Sequence, residues 1–268
     1  MQPHDHTLRQ ISLDMLSIID DIPTLPDRFM KIQEVLDDPE STLDDLTAII
    51  ETDQATTSIL LKIANSSYYN PLGAPVNSLA YAISRLGRQE TGDIALSISL
   101  LYGFAVPASI GVIRNFWAHA FAVAQINRYL ATHNKQTNTS PDVLFIAGLL
   151  HDIGRIILSM RIDMSYFEKG FPMADEKALL AAEQEAYGID HAEAGQIVLK
   201  LWHIPSDIHH IVGSHHTDNP SAMDIQICQF ADTFAAEHFS NTQNIEDVQI
   251  KLKEGLLEQA YECFDKAE

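Results

Sequence analysis

Apolar residues recur at spacings of three and four along almost the whole chain, which predicts helices rather than strands. In FMKIQEVL, Phe29, Ile32, Val35 and Leu36 share one face, and Pro39 ends that helix. Ser41 is placed to cap the next helix, with Asp44 in the reciprocal position and Leu43, Leu46, Ile49 and Ile50 facing inward. QATTSILLKIAN continues the rhythm until Asn70, Pro71 and Gly73 impose a loop, and Gly87 closes SLAYAISRL as a left-handed C-cap. Ser109 to about His133 reads as one long helix. After the polar connector KQTNTS, Ser140 caps a helix with Pro141 at its first position. That helix carries VLFIAGLLHDIGRIIL and is apolar on most sides, as a central core helix is. Gly188 and Asp190 mark a stop and a start, giving a helix from His191 towards Leu201. Pro205 opens another running to His216, and the last two cover roughly Ala222 to His238 and Ile245 to Phe264. No Asn-Gly or Asp-Gly turn separates alternating runs. The expected fold is all-α, with two packed helical subdomains, 1–106 and 107–268, meeting near residues 105 to 110.

Composition narrows the function classes. Of 268 residues, 46% are hydrophobic, enough for a real core. With 17 basic and 37 acidic side chains the net charge is −20, which excludes an unaided nucleic-acid binder that relies on phosphate neutralisation. Cys228 and Cys263 lie far apart and form no CxxC pair, as suits a reducing compartment. The opening MQPHDHTLRQ has no basic region followed by an apolar core, so no signal peptide is expected. Ile94 to Ile113 is uncharged and long enough for a membrane span, but Ser97, Ser99, Gly103, Pro107 and Ser109 interrupt it. Two buried helices joined at a Pro-containing turn fit better, and a cytoplasmic protein without membrane attachment is expected.

The twelve histidines are the unusual number, and their positions matter more than their count. His151 and Asp152 end the apolar run GLLHDIG, where an ionised carboxylate needs a cation, a donor set or a metal. His119 lies in NFWAHAFAVA, His191 opens a helix after Asp190, His215 and His216 end another, and Asp232 lies in ICQFADTF. Imidazoles with carboxylates suit iron, manganese, zinc or nickel rather than calcium. Taken singly, each has a plainer reading. A buried histidine hydrogen-bonds a carbonyl, Asp232 caps a helix, and Arg155 pairs with a carboxylate. His203, His209 and His210 are expected at the surface or behind the cluster, and His4, His6, His133 and His238 in solvent. For Tyr68 and Tyr69 a helix-end packing role is expected, and for Arg85 a helix C-terminal charge.

The order His119, His151-Asp152, Asp232 resembles the HD superfamily of metal-dependent phosphohydrolases, whose H…HD…D residues ligate one metal. His191, His215 and His216 resemble the extra histidines that HD-GYP phosphodiesterases use for a second metal, which implies Asp152 as the bridge. More specifically, PTLPDRFMKIQEVL, STLDDLTAIIETDQATTSILLKIANSSYY, SLAYAISRLGRQE and GIDHAEAGQIVLKLWHIPSDI resemble the HDOD family, from about Leu25 to Asp232. That resemblance implies an all-helical bacterial signalling module with an HD-like second half, commonly regulatory and usually without demonstrated catalysis. Two departures stand out. His215-His216 runs into TDNPSAMD rather than a GYP motif, so recognition of cyclic di-GMP through that motif is not implied. Asn115 replaces the glutamate that some trimetal relatives carry one turn before the first histidine, so two metals are expected rather than three. Where those relatives often have lysine, Arg155 offers bidentate phosphate geometry.

These readings lead to two functions. One is a regulatory module with an intact binuclear metal site that acts on a signalling protein partner. The other is a metal-dependent phosphohydrolase taking a small phosphorylated ligand, with Asp152 bridging the metals and Arg155 contacting phosphate. An accompanying receiver, cyclase or DNA-binding segment is not expected, and no basic patch supports direct nucleic-acid binding.

Overall fold

The computed structural model describes residues 3–17, 23–169, 175–240 and 242–267. Helices α1 (Pro3–Ser17), α2 (Asp27–Asp37), α3 (Leu43–Ile50), α4 (Gln54–Ala64), α5 (Leu79–Leu86) and α6 (Arg88–Gly103) form the first half. They are followed by α7 (Ile110–His133), α8 (Pro141–Leu150), α9 (Ile153–Arg161), α10 (Glu176–Tyr187), α11 (His191–Leu201) and α12 (Ser206–Ser214). The chain ends with α13 (Met223–Phe239), α14 (Ile245–Lys251) and α15 (Leu257–Ala267), and no strand occurs among the described residues. The fold is all-α.

Local chemistry accounts for most of these boundaries. Ser109, Ser140 and Asp190 each accept a hydrogen bond from a backbone N–H three residues on, Pro141 opens α8, and Gly188 ends α10 in the left-handed region. Four boundaries depart from the sequence reading. The box before α3 is built by Thr42 and Asp45, one residue later than Ser41 and Asp44, because the Ser41 hydroxyl turns back onto the Val35 and Asp38 carbonyls. Gly87 has positive φ (86°) but extended ψ (168°), so it caps α5 without being left-handed helical. The helix expected through VLFIAGLLHDIGRIIL is two helices, because Asp152 leaves helical geometry (φ −98°, ψ 9°). The segment expected from Ile245 to Phe264 breaks at Gly255, whose φ of 121° no helix accommodates.

A continuous apolar core runs from Leu25 to Phe264 through both halves. Long α7 is its axis and packs against α8, α13, α14 and α15. Phe104, in the α6–α7 connection, stacks on Trp117 of α7 and on Trp202 beyond α11. Asp93 of α6 adds a polar tie by accepting from Gln125 and Arg128 of α7. The C-terminal helices reach back to the first half, with Lys62 paired to Glu246 (3.0 Å) and Gln249 donating to Tyr69. At the other end, α1 lies on α10 and α11, where Arg9 grips Glu193 and Leu16 enters a second, smaller core.

The uncharged stretch Ile94–Ile113 is divided between α6 and α7, with α6 ending at Gly103. Among the described residues, the one stretch long and apolar enough to cross a membrane is Pro141–Arg161, and most of its residues are buried in this core. His133 and His203 are exposed, as expected. His238 departs from expectation, being half-buried with its ring stacked on Phe234. The side chains of His4 and His6 lie outside the described residues.

Candidate metal centre

Five elements converge beside the middle of α7, around His119. His119 projects from α7, His151 and Asp152 from the α8–α9 turn, His191 from the first turn of α11, His215 and His216 from the turn after α12, and Asp232 from α13. In a straight helix, adjacent side chains point about 100° apart. The backbone turn at Asp152 brings both members of the His-Asp pair into the same cluster. Close approach of the helices does the rest. A Cβ on Gly154 would stand 1.8 Å from the His191 carbonyl oxygen, so only glycine permits this α9–α11 crossing.

The imidazoles are oriented from behind. His151 Nδ1 donates to the Gly148 carbonyl (2.8 Å) and His215 Nδ1 to that of Val212 (2.6 Å). Both rings are buried, and both Nε2 atoms have no hydrogen-bond partner. They face carboxylates instead. His151 Nε2 lies 3.7 Å from Asp152 Oδ2 and 3.6 Å from Asp232 Oδ1, and His215 Nε2 lies 3.9 Å from Asp152 Oδ1. His191 Nε2 is 3.2 Å from Asp152 Oδ1 and 2.9 Å from His216 Nε2, while His119 Nε2 meets Asp232 Oδ1 at 2.8 Å.

Donor atoms of Asp152, His191, His215 and His216 all lie within 4.8 Å of one another. So do those of His119, His151 and Asp152, and those of His151, His215 and Asp232. Four ligands around a tetrahedral ion at 2.0–2.1 Å are themselves roughly 3.4 Å apart, so small adjustments suffice. Asp152 presents one oxygen to each side, Oδ1 to His191 and His215 and Oδ2 to His151.

The electrostatics demand positive charge. Burial opposes protonation of His151, but Asp152 and Asp232 outweigh it and push the imidazole up to about 9. His191 is likewise pushed up to about 10, with Asp152 and Glu183 overcoming burial. Burial would raise both aspartates, yet Arg155 and the histidines hold Asp152 well below the carboxylate range, and His119 and His151 do the same for Asp232. Burial and the neighbouring imidazoles hold His215 down, leaving it a neutral donor. Partnerless buried nitrogens facing ionised carboxylates fit a divalent transition metal, which supplies the charge that protons otherwise provide.

Arg155 Nη1 donates to Asp152 Oδ2 at 2.7 Å, and the guanidinium lies over the Phe116 ring. Among the described residues, the central aspartate is thus an anion to which Arg155 is paired. Of the histidines expected near the cluster, His209 is half-buried and His210 exposed, and neither belongs to a metal-ligand group.

Two carboxylates at the cluster were not anticipated. Glu183 is fully buried and accepts from His191 Nδ1 (2.8 Å), from the His191 backbone N–H (2.9 Å) and from the Tyr166 hydroxyl. Its signal was present, since it falls between Leu179 and Tyr187 on the buried face of α10. Glu176 opens α10 and places Oε2 3.4 Å from His216 Nδ1. No local pattern separates it from the other acidic residues of that segment.

The family model of the HDOD domain matches residues 22–218, so Asp232 lies beyond the matched stretch. An HDOD domain protein from Geobacter sulfurreducens has a similar fold (TM-score 0.66, 21% identity), with 97% of this chain and 98% of that one covered. So does a candidate phosphohydrolase from Shewanella amazonensis (TM-score 0.61, 21% identity, 92% and 93% covered). A candidate signal transduction protein from Marinobacter aquaeolei is similar over 98% of this chain and 63% of its own (TM-score 0.63, 18% identity). Among curated sequences, an uncharacterised protein of Treponema pallidum is 23% identical over 205 residues. The match takes in 74% of this chain and only 38% of that relative's length.

Proposed function

We propose that this chain, which belongs to the HDOD family, is a signalling protein whose helical core binds two divalent transition-metal ions. The observation that carries this reading is the pair His151 and His215. Each is buried, each has its Nδ1–H committed to a backbone carbonyl, and each turns a partnerless Nε2 towards ionised aspartate. A buried polar atom left without a partner costs about 1–3 kcal/mol, and two facing the same carboxylate are a donor set.

His191, His215 and His216 would hold one ion and His119, His151 and Asp232 the other, with Asp152 between them. Iron, manganese, zinc and nickel all accept such ligands. Ions bound there supply Lewis acidity and lower the pKa of water. The chain's own groups keep the donors in place. Glu183 holds His191 in one orientation, the Gly148 and Val212 carbonyls fix His151 and His215, and Arg155 anchors Asp152.

A signalling output agrees with the Marinobacter protein of like fold, described as a candidate signal transduction protein. Phosphoester hydrolysis is the second reading. It is favoured by access, since the His119 side chain is 21% exposed and the cluster therefore reaches the surface. Against it stand the charge of −20, which repels an anionic substrate at long range, and the commitment of Arg155 to Asp152.

The test is metal content after purification without chelators, followed by hydrolysis of bis(4-nitrophenyl) phosphate with added manganese, for the parent chain and Asp152→Ala. Stoichiometric metal without turnover supports the regulator. Turnover that disappears in the variant supports the hydrolase. A parent chain that binds no metal under any condition refutes both.

A further inference from the structure

Away from the metal cluster, a cavity of about 230 Å³ lies where the two halves of the chain meet. Its walls come from α4, the end of α6, the first turns of α7 and the segment that opens α14. Ile59, Leu101 and Ile245 supply apolar surface, and the half-exposed Tyr102 adds an aromatic ring. Three charged groups share the lining. Lys62 pairs with Glu246 at 3.0 Å, whereas the exposed Arg114 has no ion pair or hydrogen bond among the described residues. Arg114 is the exception among eight arginines. Arg9, Arg28, Arg128 and Arg155 bind carboxylates, Arg85 and Arg88 bind backbone oxygens, and Arg161 is also engaged. In a chain with 37 acidic side chains, the one arginine that none of them reaches stands in the wall of a cavity. It precedes His119 by five residues, about 140° round a straight helix, so the cavity opens on a different side of α7 from the metal ligands.

We infer that this cavity binds a small aromatic monocarboxylate, with Arg114 taking the carboxylate and Tyr102, Ile59 and Leu101 taking the ring. Charge sets the class of ligand. Lys62 and Arg114 against Glu246 leave a net charge of +1, the complement of one carboxylate. A phosphate monoester brings about two negative charges to a site that offers one. The planar guanidinium meets a carboxylate through two parallel N–H donors, and Arg114 gives up no existing ion pair to do so. Size agrees with charge. An apolar cavity of about 150 Å³ already holds benzene, so this one takes a ring with a short acid side chain. The Tyr102 ring offers that occupant a stacked or edge-on contact. Because both halves build the walls, an occupant ties α4 and α6 to α7 and to the start of α14, and so stabilises the folded chain. The lining shares no residue with the metal-ligand groups, so the site stands whether or not the cluster is loaded.

Phenylacetate is the probe, with phenylacetamide as its uncharged counterpart and acetate as its ringless one. Binding to the full chain is followed by ligand-observed NMR titration at low salt, where an exposed guanidinium is least screened, and Tm is read by circular dichroism. The parent chain should bind phenylacetate saturably, bind the amide and acetate at least tenfold more weakly, and melt higher with phenylacetate present. In Arg114→Gln the affinity for phenylacetate should fall at least tenfold. The ligand-free Tm should stay that of the parent, because Arg114 is exposed and has no partner to lose. No saturable binding of phenylacetate by the parent overturns the inference. Equal binding by Arg114→Gln overturns it as well, and so does equal binding of the amide or of acetate by the parent.

Discussion

Gly154→Ala is the sharpest perturbation the structure offers. The new methyl would lie 1.8 Å from the His191 carbonyl oxygen and 2.7 Å from the Gly195 backbone nitrogen, both main-chain atoms of α11. Real Cβ atoms essentially never approach closer than 3.0 Å, so α11 must withdraw from α9 by about 1.2 Å. Asp152 lies at the start of α9 and His191 at the start of α11, so their 3.2 Å contact would open to about 4.4 Å if the helices move as bodies. Overpacking on this scale costs about 3 kcal/mol. That corresponds to a fall of roughly 6–12 °C in Tm for a chain of this size. The assay is thermal unfolding by circular dichroism, with metal content in parallel. Gly111→Ala is the control, because a Cβ there meets nothing nearer than 4.0 Å. It should be neutral or slightly stabilising. If Gly154→Ala melts within about 1 °C of the parent and keeps its metals, the close-crossing argument is wrong.

Two further expectations rest on buried carboxylates. Glu183→Gln keeps an acceptor for His191 but removes the charge, so metal affinity should fall about 10–100-fold by calorimetric titration; unchanged affinity would deny Glu183 a role in orienting His191. Burial pushes Asp93 from 3.8 up to about 6 despite Arg128, so the folded state binds this proton more tightly than the unfolded chain does. Its stabilising contribution is complete below pH 3.8 and lost as pH rises through about 6, a change of about 3 kcal/mol by pH 7. Asp93→Asn should therefore flatten the decline in urea-unfolding free energy between pH 4 and 7, and parallel profiles for the two chains would contradict this.

The helices were legible in the sequence because their causes are local. Ser109, Ser140, Asp190 and Gly188 act on backbone groups within four positions of themselves, and apolar periodicity is a property of one helix at a time. The order of His119, His151, Asp152, His191, His215, His216 and Asp232 could likewise be read directly, as could their unusual apolar settings. What the residues do to one another could not. Asp232 meets His119 across 113 positions, and that contact depends on how α13 crosses α7. The break at Asp152 was hidden because an unbroken apolar run satisfies helix periodicity whether or not the backbone turns within it. Only tertiary packing, with Gly154 permitting the close crossing of α9 and α11, decides that Oδ1 of Asp152 faces His191 and His215 and that Glu176 and Glu183 belong to the cluster. Capping and periodicity are interactions between near neighbours in the chain and are written into it. A ligand shell is a meeting of distant helices and takes its geometry from their packing.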